Sequence, residues 1–291
     1  LHTGDCRLEP WVYENEPLLQ RLRRRRCRLV LDTTYADPRY DFPPQREVVA
    51  FCARAALAEA AAGATNNKTL FLFGTYTIGK ERVFLEVARA LGRRVCVAGY
   101  KKRVLDCLDL PEEDQALLTT DPGETDLHAV PMRCLSHDHM RRMLRESRGR
   151  FASCVAFRPT GWTFQKKKPA EEKKSGGIVG ALARAWEGAG RALGGGGGFF
   201  EASSASARPQ QALGSPPKAP VFAGEGCRRA SNSADGSLIS YSVPYSEHSS
   251  FSELRAFVQW LDPLTITPAV NADVGGPKSA KLVRLLRGMD A

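Results

Sequence analysis

The sequence predicts an α/β fold, and three observations carry that expectation: apolar runs alternate with helical patterns, glycine-bearing turns join them, and one long low-complexity segment interrupts the alternation. Residues 29–34, LVLDTT, read as a buried strand ending in a carboxylate. PPQREVVAFCARAALAEAAA follows as an alanine-rich helix opened by proline. TLFLF from residue 69, the turn GTYTIGK and a helix over 80–91 come next, and RRVCVAGY is another strand. A helix near 138–148 precedes the strand CVAFRP. Residues 166–236 then bring a lysine cluster, GGGGG and SSASA, with too few large apolar side chains to offset the entropy of ordering them. They are expected to form a disordered insertion, in which GGIVGALARAWEGAGRAL forms at most a transient amphipathic helix. Order is expected to resume with SLISYSVPY, the helix FSELRAFVQWL, the strand TITPAVN and a basic C-terminal helix.

The chain has 291 residues and a formal charge of +10, a balance that favours a polyanionic partner, nucleic acid before anionic membrane. RLRRRRCR at 21–28 places six arginines in eight residues, a pattern that also fits a solvated helix face or a nuclear-targeting patch. The eight cysteines form no C-x-x-C pair, and several sit in apolar runs where a free thiol packs as a small hydrophobe. That usage points to a reducing compartment. No apolar stretch has the length of a membrane span, and no signal peptide opens the chain. LHTGD starts in the middle of a strand pattern without Met, so the chain reads as a piece of something longer.

Four sites could carry chemistry. Gly74, Gly79 and Lys80 fit G-x-x-x-x-G-K, but Glu81 stands where a phosphate-binding loop needs a Mg²⁺-ligating hydroxyl. His137, Asp138 and His139 resemble half a metal motif, yet residues two apart diverge on a helix, and a helix start capped by Ser136 or Asp138 is the better reading. Asp5 in TGD and His248 in PYSEHSS each end a strand-like run with one ligand type suited to a hard or borderline cation. Spacing alone makes neither of them a site.

Taken together, HTGDCR, LDTTYADPRYDFP, GTYTIGKERVF, LTTD, FRPTGWTF, PYSEHSSFSELRAFVQWLDP and PAVN occur in the order found in one family. The chain resembles the DNA cross-link repair nucleases of the metallo-β-lactamase/β-CASP group, the relatives of Artemis and Apollo, and is most similar to their 5′ exonuclease branch. The resemblance implies a β-CASP domain plus the C-terminal part of a metallo-β-lactamase αββα fold. It divides the chain into 1–40 (end of the N-terminal half of that fold), 41–165 (β-CASP), the insertion 166–236, and 237–291 (a motif-bearing strand and C-terminal elements). It further implies that Asp5 and His248 hold metal, and that Asp32 is a catalytic carboxylate which orients ligands or handles protons beside a catalytic His248. Tyr35, Ser246 and Ser250 match positions that hold a substrate 5′-phosphate. Val270 sits at a motif where DNA-directed members carry valine and RNA-directed ones histidine. On this resemblance GTYTIGKE is a strand-to-helix connection with Glu81 favourably placed at the helix start. Lys80 is expected as an exposed amine on a basic rim, meeting the DNA backbone together with Arg23, Arg24, Arg25 and Arg26.

The departure from the family is equally specific. Its H-x-H-x-D-H motif and a further ligand histidine lie upstream of TGD, whereas the histidines here are 2, 128, 137, 139 and 248. The expectation is therefore a fragment, itself with little or no nuclease activity, of a nuclear, zinc-dependent, monomeric 5′-to-3′ DNA exonuclease of interstrand cross-link or double-strand-break repair. It would act on single-stranded or cross-linked DNA with 5′-phosphate ends, with no membrane association. The rivals are a non-catalytic DNA-binding or scaffold module and an RNA-processing nuclease of the same group, the latter disfavoured by Val270.

Overall fold

The computed structural model describes residues 1–25, 27–62, 68–164, 226–270, 273 and 275–289, without the Arg24 side chain. Contacts divide the chain into two compact units, Leu1–Lys166 with Ala219–Ala291, and Lys167–Lys218. The second unit lies outside the described residues, as do the GGIVGALARAWEGAGRAL stretch and the rest of 165–225.

In the first unit the helices α1 (Pro10–Tyr13) and α2 (Pro17–Arg25) precede strand β1 (Arg28–Leu31) and the long helix α3 (Gln45–Ala62). Next come β2 (Thr69–Thr75), α4 (Glu81–Leu91), β3 (Val95–Val97), α5 (Gly99–Leu105), α6 (Glu112–Ala116), β4 (Leu118–Thr119) and β5 (Leu127–Pro131). A 3-10 turn leads into α7 (His137–Glu146), and β6 (Ser153–Pro159) ends this half. After the insertion come β7 (Arg228–Ser231), β8 (Leu238–Val243), α8 (Phe251–Leu261), β9 (Thr265–Pro268) and α9 (Pro277–Leu286).

Seven strands form one sheet in the order β4-β3-β5-β2-β6-β8-β7, parallel except for the edge strand β7. Central parallel strands are covered on both faces, which explains why every residue of β2 is buried. Alternation along β2 sends Phe71 and Phe73 to the face packed by α3 and α4, and Leu70 and Leu72 to the face packed by α7. Phe73, Phe157 and Tyr241 lie in register on adjacent strands and stack at 5.3 and 5.0 Å. Gly74 is required where β2 runs under the turn after β5, because a Cβ there would meet the Met132 sulfur and lie 2.6 Å from Leu135 Cδ1.

A smaller sheet pairs β1 with β9 in parallel. Residues 1–3 extend it on the other side of β1, with Val30 donating to Leu1 O at 2.8 Å and Thr3 donating to Val30 O at 3.1 Å. Its core joins Leu29 and Leu31 to Tyr13, Phe257, Val258, Leu261 and Leu286 from the surrounding helices.

One boundary differs from the sequence expectation. Residues 228–231, placed within the insertion by composition, form β7. All four are exposed, so backbone pairing with β8 and the 2.7 Å Arg229–Glu59 ion pair hold the strand, and no apolar pattern marks it. SLISYSV, grouped with the C-terminal elements, is an interior strand of the large sheet.

Candidate metal centre and phosphate groove

The small sheet brings the carboxylates together. Residues 1–3, β1 and β9 run parallel, so Asp5, Asp32 and Val270 all follow the carboxyl ends of neighbouring strands, where open α/β sheets place their ligands. Asp32 is buried, and its Oδ1 accepts from Thr34 N at 3.0 Å and Thr34 Oγ1 at 2.6 Å. His248, on the β8–α8 loop, places Nδ1 2.7 Å from Asp32 Oδ2. Asp5, Asp32 and His248 each offer a ligand atom within 4.8 Å of the others. Burial opposes the Asp32 charge, yet the hydrogen bonds from His248 and Thr34 hold its carboxyl below the ordinary range. The same bond to Asp32 lifts the His248 imidazole above its usual value against the effect of burial. The charges of Asp5 and Asp32, brought this close, repel unless a cation offsets them, and carboxylate with imidazole is a donor set that fits a divalent metal.

The His248 loop is fixed by partners far away in sequence. Ser249 accepts from Leu8 N at 2.9 Å and donates to Cys6 O at 3.0 Å, tying the loop to the segment that carries Asp5. Arg7 forms a bidentate pair with Glu253 at 2.9–3.0 Å and also donates to Ser246 O and Pro43 O. Gln45, at the start of α3, donates to Ser246 O at 2.6 Å and Glu247 Oε2 at 2.8 Å. Ser250 and Glu253 form a capping box that begins α8 immediately after the histidine. Arg7, Gln45, Glu247 and Glu253 therefore hold the site, yet none was singled out from sequence. Only the adjacency of Arg7 to TGD and the S-x-x-E pattern at 250–253 carried a signal.

A groove of about 1090 Å³ opens beside the cluster, and Asp5, Tyr35, Lys80, Trp162, Ser246 and His248 are among its lining residues. Tyr35 is buried against Tyr40, Phe42 and Trp162, and burial pushes its phenol up to about 12 despite hydrogen bonding with Ser246. Lys80 requires a correction: it is 5 % exposed, so it is part of the groove wall and not an exposed amine on a rim. Its left-handed backbone (φ 75°), following Gly79 at φ 101°, turns the chain into α4. The ammonium then lies over the Tyr245 ring at 5.0 Å and near Tyr245 O at 3.4 Å. Burial lowers the Lys80 pKa, while Glu247 and Glu81 oppose that shift. Glu81 itself pairs with Lys101 at 2.8 Å, which gives the carboxylate at the helix start a structural partner.

Other expected residues lie apart from this groove. Ser250 is 1 % exposed and caps α8, outside the groove lining. Val270 is joined by its backbone to Thr33 Oγ1 at 2.6 and 3.2 Å and lines a second cleft. Arg23 and Arg25 are exposed on α2 and line neither cleft, with the Arg23 guanidinium 5.3 Å over the Trp260 ring. Arg26 and the Arg24 side chain lie outside the described residues. Ser136 caps α7, and His139 meets Arg142 at 2.6 Å, so the HDH segment is a helix start.

Comparison with known proteins places the chain in a family. The family described as "DNA repair metallo-beta-lactamase" matches residues 112–274, more than half of the chain. The chain is 34 % identical over 272 residues to the DNA cross-link repair 1A protein of Mus musculus, covering 93 % of this chain and 20 % of that protein. It is 31 % identical over 278 residues to the DNA cross-link repair protein SNM1 of Arabidopsis thaliana, covering 96 % and 45 %. It is also 26 % identical over 274 residues to the 5′ exonuclease Apollo of Gallus gallus, covering 94 % and 41 %. The chain thus spans less than half of each of these relatives. The chain belongs to the DNA repair metallo-beta-lactamase family.

Proposed function

We propose that this chain is the substrate-binding and partial metal-binding portion of a nuclear, zinc-dependent 5′-to-3′ DNA exonuclease of interstrand cross-link repair. The observation that carries the reading is the Asp5–Asp32–His248 cluster opening into a groove with Tyr35, Lys80 and Ser246. The names of the relatives, cross-link repair proteins and a 5′ exonuclease, point the same way. In this assignment the seven-stranded sheet is the β-CASP domain and the small sheet belongs to the metallo-β-lactamase fold.

The chain's residues divide the work by position. Asp5 and His248 would hold metal, while the 2.7 Å bond from His248 Nδ1 to Asp32 commits one ring nitrogen and leaves Nε2 as the ligand atom. A bound divalent cation supplies neutralisation of phosphate charge and an activated water. Asp32, held ionised by Thr34 and His248, orients that imidazole by accepting its Nδ1–H at Oδ2. The Ser246 and Tyr35 hydroxyls and the Lys80 ammonium would bind the terminal 5′-phosphate, the amine gaining strength from its partial removal from water. Ser250 supports this set as the helix cap behind Ser246.

Asp5 and His248 alone leave a zinc shell incomplete, so the chain by itself is expected to show little hydrolysis. The test compares single-stranded DNA and RNA, each with a 5′-phosphate or a 5′-hydroxyl, on a full-length protein that carries this chain with a complete metal-ligand set, and on its Ser246→Ala variant. Faster cleavage of 5′-phosphorylated DNA, lost in Ser246→Ala, supports the reading. Faster RNA cleavage, or indifference to the 5′ group, refutes it.

A further inference from the structure

A second cleft, of about 720 Å³, adjoins the metal groove and shares Thr34 and Trp162 with it. Arg39, Tyr40, Lys278 and Lys281 are among its other lining residues. Trp162 sits at the junction with 54 % of its surface exposed, unusual for the largest apolar side chain. It is also held in place. Tyr35 lies 4.7 Å from its ring at 52°, and Tyr40 meets it edge-on at 5.2 Å and 85°. The preceding Gly161 allows that approach, since a Cβ there would lie 2.7 Å from Tyr35 Cζ. An exposed indole fixed by two buried or half-buried rings presents a flat surface at little entropic cost.

The charge around the cleft has one sign to spare. Asp37 pairs with Arg39 at 2.7 Å and neutralises it. Lys278 and Lys281, one turn apart and exposed on α9, have no ion-pair partner among the described residues. An exposed aromatic next to unpaired ammonium groups is the combination that receives a single nucleic-acid strand: bases stack on the ring, and phosphates meet the lysines.

We propose that Trp162 is a base-stacking platform where the two clefts meet, and that the cleft with Lys278 and Lys281 receives the DNA strand leading away from its 5′-terminal phosphate. This rests on the phosphate-groove reading above, because the 5′ end is placed by Tyr35, Lys80 and Ser246 on the other side of the indole. Continuity between the clefts supplies the path: a strand anchored at Ser246 reaches α9 by crossing Thr34 and Trp162.

The test is equilibrium binding of the chain to 5′-phosphorylated single-stranded DNA of increasing length, starting from the mononucleotide. Wild type is expected to gain affinity with length. Trp162→Ala should lose about tenfold on the longer oligonucleotides beyond whatever it loses on the mononucleotide, the effect of one stacked base, with Trp162→Phe retaining most of the gain. An abasic nucleotide scanned along the strand should find one position that weakens wild type and Trp162→Phe but not Trp162→Ala, a coupling that altered folding would not produce. Lys278→Gln with Lys281→Gln should lower the log–log salt slope by about 1.4, at about 0.7 for each phosphate contact with a single strand. Length-dependent binding that all these variants reproduce overturns the inference and leaves the phosphate groove standing. Mononucleotide binding with no gain from length overturns it too. Failure of wild type to bind any 5′-phosphorylated DNA removes the underlying reading and this inference with it.

Discussion

Changing Arg7 to Met removes a charge while keeping most of the stem, and the structure gives the consequence. The Arg7 and Glu253 side chains are 6 % and 11 % exposed, so their pair is a buried one. Met would leave the Glu253 carboxylate, among the described residues, with the Ser250 amide at 2.8 Å, and would release the Ser246 and Pro43 carbonyls from the guanidinium. Breaking a buried pair from one side costs roughly 3–5 kcal/mol, because the remaining charge keeps its desolvation penalty. For a body of this size, at roughly 2–4 °C per kcal/mol, the expected drop in Tm is about 10 °C. Urea titration measures the loss as a shift in midpoint at unchanged m. Adding Glu253→Gln to Arg7→Met should recover more than half of it, because glutamine is neutral and still closes the capping box on Ser250. A single-variant loss below about 1 kcal/mol, the range of a surface pair, refutes the claim that this pair holds the His248 loop. A double variant less stable than the sum of its single changes refutes it as well.

Gly74→Ala should destabilise by roughly 1–3 kcal/mol in the same titration, since the added Cβ overpacks against Met132 and Leu135. Zinc affinity, followed by competition with a chromophoric chelator, should rise with pH through the raised His248 pKa, because metal must displace the Nε2 proton of an imidazolium that Asp32 stabilises; His248→Gln should flatten that slope. His128 is buried, with its ring 3.2 Å from Thr125 O, and burial lowers its pKa below the unfolded value. Its contribution to stability is therefore present above about pH 6.5 and lost as pH falls through the folded value, so wild type should lose more stability on acidification to pH ~5 than His128→Gln does.

Much of the α/β alternation was legible because parallel strands are apolar on both faces: TLFLF and CVAFRP announce themselves by composition. β7 was not, since an exposed edge strand reading Arg-Arg-Ala-Ser is held by its backbone and by Glu59 from α3. Asp5, Asp32 and His248 were found through the order of motifs, and the structure explains their meeting through strand ends that coincide only once residues 1–3 pair with β1. Lys80 was misplaced for a physical reason. A lysine after glycine at a helix start reads as solvent-facing, and only its positive φ, with Tyr245 beneath it, turns the amine into the groove. Contacts such as Gln45 to Glu247, 202 residues apart, leave no local pattern.

The most direct test of the metal centre is anomalous diffraction at the zinc edge from crystals grown with zinc, comparing wild type with His248→Ala. A zinc peak bonded to Asp5 and His248, with Asp32 against the imidazole, is the expected result, and the peak should be lost or much weakened in His248→Ala. Zinc bound only elsewhere, or a peak at this place unchanged in His248→Ala, contradicts it.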